Sequence, residues 1–429
     1  MNFKLKDDFL LGVATASTQI EGGKVDNNWN HWYEEGHIKD NSDPARADDH
    51  YARFKEDTKL MKEMGIEIYR FGLEWARIEP EEGKFDEDVI NHYLEEIKLI
   101  MDAGIKVLLT IHHFSNPMWF ENKGAFVKKE NMQYFLDYVR VVVERFGDMV
   151  SDYVTINEPN IYAYNSYYFG MWGPGHHSLK EARMVLNNFA YVHIKAYEMI
   201  HALREVKGYK ATKVGFANHV RVFDPKNPKN PWHKFGARTM EKMFQTSPTL
   251  AMSRGIFKWP LKNIWKVKEG EYADFVGINY YSRSTIAGTK DILPTPCPVN
   301  DLGWEIYPEG IIRATKSVYD ILPRPIWVTE NGTCDLNDAF RSRYLFEHLE
   351  KIAKSDLPFE RYYHWCFLDN WEWCEGESAR FGLVHVNYET QERKIKKSGE
   401  FFMEMIKEKG VTENMYERYV KGIDYNIKL

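Results

Sequence analysis

Eight short apolar runs, at 9–17, 66–75, 106–113, 152–159, 213–219, 274–281, 325–332 and 361–373, are rich in β-branched and aromatic residues and alternate with longer stretches of helical period. A parallel sheet demands this alternation, because every crossover needs a dozen or more residues to bring the chain back. Two of the intervening stretches, 48–64 and 86–103, carry apolar residues three and four apart and stop at Gly65 and Gly104. Glycine suits the left-handed residue after a helix, and each of these leads through Gly-Ile into the next apolar run. No linker rich in Gly, Ser or Pro divides the units. The expected fold is a closed (β/α)8 TIM barrel rather than an open doubly wound sheet, with residues 1–429 forming one domain.

In such barrels the reacting groups stand at the C-terminal ends of the strands, so polar residues that close an apolar run are the candidates. The run ends here read Ala16-Ser17-Thr18-Gln19, Arg70, His112-His113, Asn157-Glu158, Asn279-Tyr280-Tyr281, Glu330-Asn331 and the stretch from Trp365 to Trp373. Two glutamates stand out, Glu158 in Thr-Ile-Asn-Glu-Pro and Glu330 in Val-Thr-Glu-Asn-Gly. A Glu closing an apolar strand needs either an ion-pair partner, for which Arg70 is the candidate, or a chemical task. Breaking a glycosidic bond calls for one carboxylic acid to protonate the leaving oxygen and one carboxylate to meet the oxocarbenium-like centre, and two Glu at one barrel mouth supply both.

Composition narrows the alternatives. With 57 Lys plus Arg against 63 Asp plus Glu the net charge is −6, which offers no basic footprint for nucleic acid or an anionic membrane. No stretch approaches the roughly 18 apolar residues of a membrane-spanning helix. Aromatics make up 15% of the chain, including 13 Trp, and can fill a core or stack on sugar faces. The four cysteines, Cys297, Cys334, Cys366 and Cys374, show no C-x-x-C spacing, so neither a zinc ribbon nor a redox pair is expected. Lys4 and Lys6 precede a short apolar stretch and Ala14-Thr15-Ala16, but Asp7 and Asp8 interrupt a signal-peptide pattern. A cytoplasmic protein with free thiols is the expectation.

The segment Phe9-Leu10-Leu11-Gly12-Val13-Ala14-Thr15-Ala16-Ser17-Thr18-Gln19-Ile20-Glu21-Gly22, the two glutamate motifs, Gly277-Ile278-Asn279-Tyr280-Tyr281 and the Trp365 to Gly376 stretch together resemble glycoside hydrolase family 1, the retaining β-glucosidase and β-galactosidase family. The likeness runs from about residue 9 to about residue 399. It implies Glu158 as general acid/base and Glu330 as nucleophile, with the carboxyls about 5 to 5.5 Å apart as retention requires. It implies that Asn157 bonds the sugar 2-hydroxyl, that Arg70 and Tyr281 hold the nucleophile, and that Gln19, His113, Glu372 and Trp373 bind hydroxyls above a Trp365 floor. Asn279, Trp304 and Phe381 complete the implied sugar-binding set. Adjacent strand residues face opposite ways, so only one of His112 and His113 can reach the mouth, and the motif favours His113. Myrosinase-like relatives carry Gln at the acid/base position, whereas this chain keeps Glu158.

Relatives that act on 6-phosphorylated sugars carry Ser at the position of Glu372 and a Lys and Tyr near Phe381. This chain has Glu372, Ala379 and Phe381, and a carboxylate would repel phosphate, so an unphosphorylated glucoside, galactoside or fucoside is expected. Asn160 replaces a Trp common in relatives and the segment 282–301 is brief, which points to a more open aglycone side with Trp304 as its platform. The sequon Asn331-Gly332-Thr333 lies at the nucleophile and reads as coincidence, while Asp369, Glu375 and Glu377 read as solvated or structural. Three rivals stand beside the glycosidase: a metal-dependent barrel hydrolase suggested by His112-His113 and His176-His177, a sugar-binding module without turnover, and a transglycosylase using the same residues. The expected enzyme takes small β-glycosides, needs no cofactor or metal, and carries no sequence mark of an oligomeric state.

Overall fold

The computed structural model describes residues 2–429. Eight parallel strands close into a barrel: β1 (Leu10–Ala14), β2 (Ile68–Gly72), β3 (Lys106–His112), β4 (Asp152–Asn157), β5 (Lys213–Val220), β6 (Val276–Tyr280), β7 (Ile326–Asn331) and β8 (Phe359–Trp365). Each pairs with its sequence neighbours, and β8 pairs with β1 to complete the ring. Every predicted run therefore overlaps a barrel strand. Backbone contact between β1 and β2 is close enough that a Cβ on Gly12 would stand 1.8 Å from the Ile68 carbonyl oxygen, so only glycine fits there.

Helices α1 (His50–Glu63) and α2 (Glu87–Asp102) occupy the two stretches whose period predicted them. Asp86 caps α2 by accepting from the backbone N–H groups of Asp88 and Val89, satisfying two of the donors a helix start leaves free. Ile90, Tyr93, Ile97 and Ile100, spaced at three and four, form its buried stripe. After β4 comes the short helix α3 (Pro159–Tyr167), with Pro159 in its first turn, where its missing N–H costs no hydrogen bond.

Several predicted runs overshoot their strands. The 9–17 run leaves the sheet at Ala14 and turns helical at Ser17–Ile20, and the 361–373 run leaves it at Trp365. Beyond β8 the apolar character belongs to a second aromatic layer above the barrel, where Trp29 packs on Trp172, Trp371 and Trp373 with ring centroids 5.3, 5.8 and 4.6 Å apart. Hydrophobicity reports burial, and here the burial continues after the strand pairing has ended.

Candidate active site

Both glutamates stand where a strand breaks register. The pairing of β4 with β5 shifts between Val154 and Asn157, and that of β7 with β6 shifts between Val328 and Glu330. Such irregularities re-aim a side chain that a regular pleat would send elsewhere. Glu158 sits just past β4 with φ 40° and ψ 61°, a left-handed conformation rare for a residue with a side chain. Strain of this kind persists only where surrounding structure holds it, here the helix that begins at Pro159 and a backbone bond from Glu158 N–H to the Ala217 carbonyl at 2.7 Å.

Each Glu330 oxygen has its own donor. Arg70 Nη1 donates to Oε1 at 2.5 Å and the Tyr281 phenol donates to Oε2 at 2.5 Å. Arg70 is itself fully buried and spends its other N–H groups on Thr110 Oγ1 at 3.0 Å, the Thr329 carbonyl at 3.2 Å and Asn157 Oδ1 at 2.6 Å. The ion-pair reading and the functional reading thus meet in one residue, since Arg70 pairs with Glu330 and not with Glu158. Replacing Arg70 by Met is expected to destabilise the fold by about 3–5 kcal/mol, because a buried carboxylate loses its counter-charge; urea unfolding checks it, and a loss below ~1 kcal/mol would count against the pairing.

Asn279 ties Glu158 to Asn157 and to the strand that carries Glu330. It lies opposite Glu330 in the β6–β7 register, and its Nδ2 donates to Glu158 Oε1 at 2.9 Å and to Asn157 Oδ1 at 3.0 Å, while its Oδ1 accepts from Thr329 at 2.6 Å. Glu158 Oε1 also stands 3.0 Å from His219 Nδ1. Burial pushes the Glu330 carboxyl up to about 7; the Arg70 guanidinium opposes this, the Glu158 charge adds to it, and the hydrogen bonds from Tyr281 and Arg70 lower it. The Arg70 cation and the Tyr281 phenol are the groups that favour the negative charge on Glu330.

Around this pair lies a polar and aromatic pocket. His113 Nε2 meets Asn157 Nδ2 at 2.8 Å, and since the amide must donate, the His113 hydrogen sits on Nδ1, which is buried with no protein partner. Burial and the Arg70 charge hold His113 neutral, well below its usual range. The His113 ring packs, tilted, 5.8 Å from Trp365 and 5.7 Å from Trp373. His112 faces the other way, bonded to Asn116 Oδ1 at 2.9 Å and packed among Phe126, Phe135 and Tyr162. Gln19 Nε2 donates to Glu372 Oε2 at 3.1 Å, to Asn370 Oδ1 at 3.1 Å and to the Trp371 carbonyl at 3.0 Å, leaving its Oε1 buried and unpartnered. Trp365 Nε1 reaches the same Glu372 oxygen at 3.4 Å. Orphaned buried donors and acceptors are uncommon, and those on His113 and Gln19 suit a ligand rich in hydroxyls.

Burial pushes Glu372 up to about 8, with Glu330 and Glu375 adding and the Trp365 and Gln19 hydrogen bonds opposing. A neutral Glu372 repels phosphate less than a carboxylate does, so the repulsion expected from the sequence weakens as Glu372 takes up its proton. On the Glu330 side, Trp304 is 38% exposed and stands 6.0 Å from both Tyr281 and Phe381, with Phe381 buried beneath it.

Trp304 is not the sole aromatic surface near the site. A cavity of about 450 Å³ borders the Glu158 side, lined by Ile161, Tyr164, Tyr168, Phe223, Phe244 and Arg221 among others. Asn160 is fully buried and donates to the His219 and Phe244 carbonyls at 2.8 and 3.0 Å, so it braces this wall and does not line it. Asn331 is likewise buried, its amide donating to the Tyr280 carbonyl and the Tyr344 phenol, which leaves no access for glycosylation of the sequon. Asp369 is buried against Lys396 and Arg380, and Glu375 and Glu377 pair with Lys39 and Arg46, so all three are structural. Among the described residues no three His, Cys, Asp or Glu side chains cluster as a metal site, and His176 is occupied by Glu181 at 2.9 Å.

Sequence reasoning passed over His219 and Arg221, although the signal was present: His219 closes a predicted run, the same criterion that selected the other residues.

A closed parallel barrel with two carboxyl groups at its C-terminal mouth, one held by a cation and a phenol, is the arrangement of a glycoside hydrolase. The chain belongs to glycosyl hydrolase family 1, whose profile matches residues 1–411. It is 30% identical to β-glucosidase A of Thermotoga maritima over 96% of this chain and 99% of that one. Among solved structures it resembles the β-glycosidase of Pyrococcus horikoshii with 32% identity, a TM-score of 0.87 and 98% of each chain covered. The β-glucosidase of Thermotoga maritima in complex with glucoimidazole gives 30% identity and a TM-score of 0.89, covering 95% of this chain and 100% of that one. The fold and family expected from the sequence hold, and the protein is a glycosidase.

Proposed function

We propose that the enzyme removes terminal β-linked glucose, galactose or fucose from small glycosides, with Glu330 as nucleophile and Glu158 as acid/base. The observation that carries this is the asymmetry of the pair. Both Glu330 oxygens are held by donors, while Glu158 takes its two protein contacts on Oε1 and leaves Oε2 free of protein partners among the described residues. Glu158 gives its proton to the departing glycosidic oxygen as Glu330 bonds to the anomeric carbon; Glu158, now a carboxylate, then takes a proton from the water that releases the sugar. Asn157, fixed by Arg70, Asn279 and His113, is placed to bond the 2-hydroxyl, and Gln19, His113, Glu372 and Trp373 the remaining hydroxyls above Trp365.

A panel of nitrophenyl β-glucoside, galactoside, fucoside, mannoside and 6-phosphoglucoside tests the reading. Turnover of the first three, unchanged in chelator, is expected. Turnover of the phosphorylated substrate alone would overturn the sugar assignment, and inertness toward all five would leave a sugar-binding module. A cytoplasmic location and a one-domain organisation belong to the same proposal. Four unpaired cysteines, three of them buried, support the location.

A further inference from the structure

His219 lies on β5 opposite Asn279 in the register, and Arg221 follows two residues later, just past the end of the strand. Arg221 Nε stands 3.2 Å from His219 Nε2, and His219 Nδ1 stands 3.0 Å from Glu158 Oε1. We propose that Arg221 and His219 are a positioning pair that sets which oxygen of Glu158 carries the proton, a reading that rests on Glu158 as the acid/base. A guanidinium has only N–H groups to offer, so at this distance it must donate and His219 Nε2 must hold a lone pair. A neutral imidazole with that nitrogen bare carries its hydrogen on Nδ1, which donates to Glu158 Oε1. Asn279 Nδ2 donates to the same oxygen. With Oε1 occupied by two N–H donors, the acid proton resides on Oε2, and the same donors stabilise the carboxylate that later acts as base.

The pair is held in place from several sides. The His219 ring lies 5.7 Å from Tyr281 in a stacked arrangement and 5.7 Å from the edge-on Phe244, and its carbonyl accepts from Asn160. Arg221 N–H donates to Gln245 Oε1 at 2.9 Å, while its guanidinium meets Ser284 Oγ at 3.4 Å and an Asp291 oxygen at 3.9 Å. The charged and titratable groups around the pair are thus Glu158, Tyr280, Tyr281 and Asp291, with Glu330 and Arg70 across Asn279 and Asn157. Without Arg221 the imidazole can take the other tautomer, and a bare Nδ1 would draw the Glu158 proton to the wrong oxygen.

The test uses three variants of the full chain and two readouts. In wild type, 15N NMR of the His219 ring is expected to show a protonated Nδ1 and a bare Nε2, and in R221M a mixture of tautomers. In the pH profile of kcat/KM on nitrophenyl β-glucoside, H219F loses a donor to the ionised acid, so the alkaline limb moves upward by about one pH unit. H219N keeps an amide N–H near the place of Nδ1, and its limb is expected to return to that of wild type. A bare Nδ1 in wild type, an H219F limb that stays put, or an H219N limb that shifts like H219F would each overturn the pair. The tautomer is read without turnover, so an enzyme inert toward every aryl glycoside would refute the Glu158 assignment separately.

Discussion

Glu330→Gly is expected to lower hydrolysis of an aryl β-glucoside by about five orders of magnitude, and added azide to restore turnover with an α-linked glycosyl azide as product. On the proposed assignment, removing the side chain takes away the atom that bonds the anomeric carbon and opens a space on that face of the sugar. A small anion entering there is still met by the Arg70 guanidinium and the Tyr281 phenol, which now hold two donors and no acceptor. Attack from that side inverts the centre once, and the product cannot be cut again. Formation of a β-linked azide, or no rescue at all with folded protein, would place the nucleophile elsewhere.

Glu158→Ala is expected to discriminate between leaving groups. A dinitrophenolate departs without help, so its release should fall little, whereas an alkyl or sugar alcohol must be protonated as it leaves and should slow by about 10²- to 10⁴-fold or more. With the activated substrate the slow step becomes release of the sugar from Glu330, because water has lost its base, and a burst of nitrophenol should precede a slow steady state. The alkaline limb of the pH profile, which reports loss of the acid proton, should vanish. The acid limb should remain above the ordinary carboxylate range, because burial raises Glu330. Activity there falls with falling pH, since protonating the nucleophile removes its charge. Uniform slowing across all leaving groups would assign Glu158 a structural task.

Much of this site can be read directly from the chain, and for a definite reason. Strand periodicity, helix stops at Gly65 and Gly104 and polar residues closing apolar runs are local properties, set by backbone sterics and by which face is buried within a few residues. Those local signals located all eight barrel strands and, with the family motifs, named Glu158, Glu330, Asn157, Arg70, Tyr281, Gln19, His113 and Glu372. The same logic misjudged the stretch after Trp365, because buried tryptophans stacking on one another look, in sequence, like a continuing strand.

What the sequence alone determined is the order of strands and the set of polar groups delivered to one rim. The tertiary structure decided the pairings within that set: Arg70 to Glu330 and not Glu158, Asn279 to Glu158 and Asn157, and His219 with Arg221 behind the acid. These partners lie on different strands, and which of them meet depends on barrel closure, sheet register and the irregularities at Glu330 and Asn157. Shifting a strand by one residue would turn each of its side chains to the opposite face, and no local pattern records that choice.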